Sequence, residues 1–105
     1  MSMKLDELER TFDAAREDLL DALLERAGEV ARQARGGLTK LHFSHGWRRG
    51  EWNFTAYGPG DTVMSHRSHE TIAGAIEGER LGLRIAELLA FGNREVTYNI
   101  PVAVA

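Results

Sequence analysis

Along the first third of the chain, apolar residues return every three or four positions. Leu5, Leu8, Phe12, Ala15, Leu19, Leu23, Ala27, Val30 and Ala34 form one continuous stripe at 100° per residue, while Glu7, Arg10, Glu17, Asp21, Glu25 and Arg32 lie away from it. This predicts an amphipathic helix over about 4–35, stopped by Gly36 and Gly37. Such a helix is long for a small domain, and most helical stability comes from covering the apolar face. The stripe therefore points toward self-association.

The period then changes to two. Leu41 and Phe43 alternate with Lys40, His42 and Ser44, and Trp52, Phe54 and Ala56 alternate with Glu51, Asn53, Thr55 and Tyr57. Strands are expected near 38–45 and 51–57. If residues 46–49 form the loop, Phe43 faces Trp52 and His42 faces Asn53. A two-residue shift sets His42 beside Thr55 and keeps the apolar face intact, whereas a one-residue slip destroys it. Gly58-Pro59-Gly60-Asp61 reads as a turn, and Thr62-Val63-Met64 is too short a run to assign.

A second helix is expected from about His69 to Phe91, capped by Ser65 or Ser68. Ile72, Ile76, Leu83, Ala86 and Ala90 share one side with Ala75 and Leu89, and Leu81, Ile85 and Leu88 widen the arc. Gly74, Gly78 and Gly82 fall inside that arc, four residues apart. Glycine costs roughly 1 kcal/mol of helix propensity against alanine, so three on one line predict a close backbone approach, with Gly78 packed against a neighbour. Contact within the chain is the favoured explanation over an oligomer seam. A final strand over 94–104 places Val96, Tyr98, Ile100, Val102 and Val104 on one face, and Pro101 argues for an edge position.

These elements, in the order α-β-β-α-β, predict a two-layer α+β fold. Two amphipathic helices pack on one face of a small antiparallel sheet. The length of 105 residues fits a single domain spanning 1–105.

Composition narrows the function classes. With no cysteine, disulfides, thiolate catalysis and Cys-based metal sites are excluded. The net charge is −3, residues 4–35 carry an acidic excess, and the remainder is balanced. A nucleic-acid partner would need a basic excess and is not expected. The acidic, amphipathic start gives no signal-peptide pattern and no stretch reaches membrane-spanning length, so a cytoplasmic protein without a membrane role is expected.

Candidate chemistry concentrates in the middle. The outer sheet face should present Lys40, His42, Ser44, Glu51, Asn53, Thr55, Tyr57, Glu95, Thr97 and Asn99, rigid donors and acceptors suited to a ligand or a second subunit. All four histidines, His42, His45, His66 and His69, lie in one short window, and only histidine titrates near neutrality unperturbed. His42, His66, His69 and Glu70 are the candidate catalytic residues, provided that an imidazole comes within hydrogen-bond reach of a carboxylate and a substrate proton. His66 and His69 with Asp61 are the weaker candidate metal ligands, for zinc or another borderline cation. Trp47, Arg48 and Arg49 could stack on a ring and hold an anion, or anchor a protein. Together with His42, Asn53 and Tyr57 they are the candidate ligand-binding residues.

No cofactor is expected. The reading favoured by the sequence is a non-enzymatic binding or assembly module acting as a homo-oligomer, a homodimer in its simplest form. The alternative is a small enzyme or small-molecule binder that uses residues 42–70, with a protein or an anionic small molecule as partner.

Overall fold

The computed structural model describes residues 2–45, 52–90 and 94–101, and within them the expected two-layer α+β architecture is present. Helix α1 spans Ser2–Ala34. Strands β1 (Lys40–His45), β2 (Trp52–Gly58), β3 (Thr62–Val63) and β4 (Glu95–Asn99) form an antiparallel sheet in the order β3-β2-β1-β4. The 3-10 turn Pro59–Asp61 joins β2 to β3, the run too short to assign from sequence. Gly60 at φ 71 and Asp61 at φ 58 make that turn, using the two residue types that best tolerate the left-handed region.

The β1–β2 register is the shifted one. Phe43 lies opposite Phe54, His42 opposite Thr55 and Leu41 opposite Ala56. The phenyl centroids of Phe43 and Phe54 are 6.2 Å apart, and Ala56 gives a small partner to the fully buried Leu41. Strand β4 pairs with the other side of β1, so β1 is central and β4 is an edge. It ends at Asn99, before Pro101, as the missing proline donor requires. Val102 and Val104 lie outside the described residues.

The second helix differs from expectation. It is two helices, α2 (His66–Gly78) and α3 (Leu81–Ala90), broken at Glu79 and Arg80. Arg80 adopts φ 56, a left-handed residue where glycine is more usual. The reason for the break is geometric. Helix α2 buries Ser68, Ile72 and Ile76, whereas α3 buries Leu81, Gly82, Ile85, Ala86 and Leu89. On one straight helix those faces would point roughly 110° apart at 100° per residue. A continuous helix could not press both against one sheet, and the left-handed residue turns each half onto its own contact.

The glycine line is corrected with it. An added Cβ at Gly74 or Gly78 would meet no heavy atom within 4 Å, so neither is a close approach. Gly82 alone is one, lying against the Trp52 indole. Gly74→Ala should therefore stabilise the protein by about 0.5–1 kcal/mol through helix propensity. A urea midpoint unchanged or lowered in this variant would contradict that placement.

The core is drawn from all the layers. Leu20, Leu23, Leu24, Ala27, Val30 and Ala31 of α1 pack with Leu41 and Phe43 of β1, Ile72 and Ile76 of α2, and Ile85 and Leu89 of α3. Two ion pairs pin α1 from outside. Arg26 forks onto Glu79 at the α2–α3 break, with both N–O distances 2.9 Å. Glu17 pairs with Arg94 just before β4.

Hydrogen bonding by Arg26 holds the Glu79 carboxyl below its ordinary range, and Arg94 does the same for Glu17. A carboxyl lowered on folding adds stability that is fully present above its unfolded pKa. That stability is lost as pH falls through the folded value. Glu79→Gln should thus lower stability at neutral pH while changing it little in acid, below the folded value. Urea midpoints of both proteins across that range check this, and a gap that persists undiminished in acid would contradict it.

Candidate functional site

Helix α1 is longer than the body it serves. Thirty-three residues at 1.5 Å extend about 50 Å, whereas the seven residues of β2 span roughly 23 Å. The molecule's longest extent is 53 Å, against 36 and 24 Å in the other directions. From Leu20 onward the apolar stripe is buried by α2, α3 and the sheet. Before Leu20 it has no cover among the described residues: Leu5 is 62 %, Leu8 59 %, Phe12 63 % and Leu19 45 % exposed. Beside them Arg16 lies over the Phe12 ring, 5.2 Å from its centroid, and pairs with Asp13.

The sequence pattern assigns the whole stripe to one apolar face without distinguishing a covered half from an uncovered one. The legible signal was its length. A helix twice as long as any strand outruns its own sheet.

The outer sheet face forms as the alternation predicts. His42 lies across from Thr55 and Thr97, so Asn53 and Tyr57 are its diagonal neighbours on β2. His42 Nδ1 is 2.8 Å from Thr97 Oγ1, and its Nε2 is 3.5 Å from Glu95 Oε2. Lys40 pairs with Asp61 at 3.0 Å and stands over the Tyr57 ring, its Nζ 4.8 Å from the centroid. Asn53 is exposed and Tyr57 half-buried. The face is polar, internally paired and open.

The candidate catalytic residues are placed apart. His69 sits under the opposite, helix-covered face, its ring centroid 5.4 Å from that of Phe54. There it has a structural task. Strand β3 stops at Val63 and leaves the Ala56 N–H without a strand partner, and His69 Nε2 accepts that hydrogen at 3.0 Å. Nδ1 lies 2.9 Å from the Ser65 carbonyl oxygen, which fixes the tautomer with the proton on Nδ1. Both nitrogens are thus committed to closing a sheet edge and tying α2 to β2.

His66 lies on the exposed side of the first turn of α2, with Nε2 2.9 Å from Glu70 one turn on. His42, on the outer face, has the sheet between it and His69. The candidate metal ligands do not meet either, since Asp61 turns to Lys40 and His69 to the backbone. No group of three His, Cys, Asp or Glu among the described residues could hold a metal ion. Trp47, Arg48 and Arg49 lie outside the described residues, as does the side chain of His45.

Sequence reading did not anticipate the groove between α1 and the β4 edge. It is lined by Glu25, Gly28, Glu29, Arg32, Tyr98 and Pro101. Gly28 makes room for the Tyr98 ring, which would stand 2.7 Å from an added Cβ. Burial, and then Glu25 and Glu29, push the Tyr98 phenol up. Arg32 closes one end by donating to the Pro101 carbonyl at 2.6 Å. With Arg32 so engaged, the groove presents the carboxylates of Glu25 and Glu29 beside an aromatic ring and the Gln33 amide.

No helix among the described residues is long and apolar enough to cross a membrane. Searches against protein-family models, curated proteins and solved structures give no match to this chain.

Proposed function

We propose that the chain is a non-enzymatic assembly module that works as a homodimer or larger homo-oligomer through the uncovered half of α1. The observation that carries this reading is the contiguous exposure of Leu5, Leu8, Phe12 and Leu19 on one side of a helix that the domain covers only from Leu20. Scattered exposed leucines need no explanation, but an ordered row of large apolar side chains marks a contact surface.

Magnitudes set the regime. Fully burying such a side chain is worth about 1.5–3 kcal/mol, so covering the exposed half of each contributes roughly 1–2 kcal/mol. The same row on each of two protomers yields on the order of 10 kcal/mol gross, against an association cost of about 4–15 kcal/mol. The expected assembly is reversible and depends on concentration.

Other surfaces give less support. The outer sheet face satisfies much of its own hydrogen bonding, and His42, His69 and His66 are divided between two faces and a solvent-exposed turn. Sedimentation equilibrium from nanomolar to high micromolar protein tests the proposal. A mass that rises from 11.7 kDa toward an integral multiple is expected. A mass fixed at the monomer value throughout would overturn the reading and return attention to residues 42–70.

A further inference from the structure

Resting on that reading, we infer that the occupant of the uncovered stripe is the same stripe of a second copy, running antiparallel over residues 5–22. Leu5, Leu8, Phe12, Ala15, Leu19 and Ala22 alternate in steps of three and four, the spacing of a two-helix seam. All six are exposed.

Direction follows from where the body sits. Past Ala22 the same spacing reaches Arg26 and Glu29, and Arg26 is held by Glu79 at the α2–α3 break. A parallel partner helix, continuing straight beside α1, would run over that ion pair and lay charged Arg26 and Glu29 into the seam. An antiparallel partner reaches its own amino-terminal end where the body begins, and the two bodies lie at opposite ends of the seam.

Register follows from size and charge. With Leu5 opposite the partner's Ala22, Leu8 meets the partner's Leu19 and Phe12 meets the partner's Ala15. Large then faces small at the centre and the ends. The flanking positions set Glu9 near the partner's Arg16, twice by symmetry, and Thr11 near the partner's Asp18. Sliding by one heptad toward a shorter overlap would bring Glu9 against the partner's Glu9. Arg16 keeps its intrachain Asp13 contact within reach in the paired state, because Asp13 lies on the next turn of the same helix.

The chain has no cysteine, so introduced thiols report without background. Leu5→Cys and Ala22→Cys variants are oxidised singly and as a mixture, and Leu8→Cys with Leu19→Cys repeats the comparison further in. A disulfide needs Cα atoms within about 7 Å. The antiparallel seam predicts cross-linked dimer in each mixture and little in either single variant, whose thiols would stand roughly 25 Å apart for residues 5 and 22. Cross-linking within each single variant would mean parallel pairing and would overturn the inference while leaving self-assembly intact. A dimer by sedimentation with no cross-link in any combination would place the contact elsewhere. A monomer at every concentration would overturn both readings. As an independent readout, Glu9→Arg and Arg16→Glu should each weaken association several-fold, and the double exchange should restore it. Failure of restoration would overturn the register.

Discussion

Phe12→Asp is expected to sediment as a monomer at concentrations where the unaltered protein is assembled, with its helical circular dichroism nearly unchanged and with the same unfolding midpoint as the unaltered protein when both are diluted to monomer. Phe12 stands in the middle of the uncovered stripe, and none of the core of the folded protomer rests on it. An exposed substitution of this kind usually costs within about 0.5 kcal/mol of fold stability. At a helix–helix seam the same change removes a large apolar side chain and requires a carboxylate to be desolvated. The dissociation constant should rise at least about 100-fold, roughly 2.7 kcal/mol. Arg10→Ala, on the far side of the helix, should leave the mass unchanged. Equal dissociation in both variants, or in neither, would mean that the stripe is not the contact.

The largest effect on the fold itself should come from Gly82→Ala. A Cβ built there would lie 2.2 Å from Cε2 and 2.3 Å from Cδ2 of Trp52, so the indole has to move. It is held on two sides. Its ring stacks on Phe54 with centroids 5.4 Å apart, and its Nε1 donates to Glu77 at 3.1 Å. Alanine's helix preference of about 1 kcal/mol is therefore outweighed, and a net destabilisation of roughly 1–3 kcal/mol is expected from overpacking. Urea denaturation measures the loss. Combining Gly82→Ala with Trp52→Leu should cost less than the sum of the two single changes, because they share one contact. Strict additivity would show that Gly82 is not limited by the indole.

The contrast between Gly82 and Gly74 shows how far pattern alone reaches. Periodicity of 3.6 located α1, and periodicity of two located β1, β2 and β4, because alternation of apolar and polar residues follows directly from which side of an element meets the core. It also separated the two sheet faces correctly, with His42 between Asn53 and Tyr57 on the outer one. Pattern could not distinguish two hairpin registers that keep the same faces. The paired structure does, setting Leu41 against Ala56 and Phe43 against Phe54. Nor could it locate the α2–α3 break, because no proline or glycine stands at Arg80. The left-handed residue is imposed by the need to bury two differently directed faces on one sheet.

The candidate site divides along the same line. Four histidines in a short window are visible in the sequence, but the separation of His42, His66 and His69 is not. His69 is drawn to the inner face by an unpaired Ala56 N–H that exists only because β3 is so short. The stripe of α1 was wholly determined by its residues, since local spacing fixes which side of a helix is apolar. Which half of that stripe the protein covers depends on the size of the sheet, a property of strands far away in the chain. Tertiary structure alone decided it: a sheet whose longest described strand spans about 23 Å cannot shelter a helix of about 50 Å, and the remainder stays uncovered.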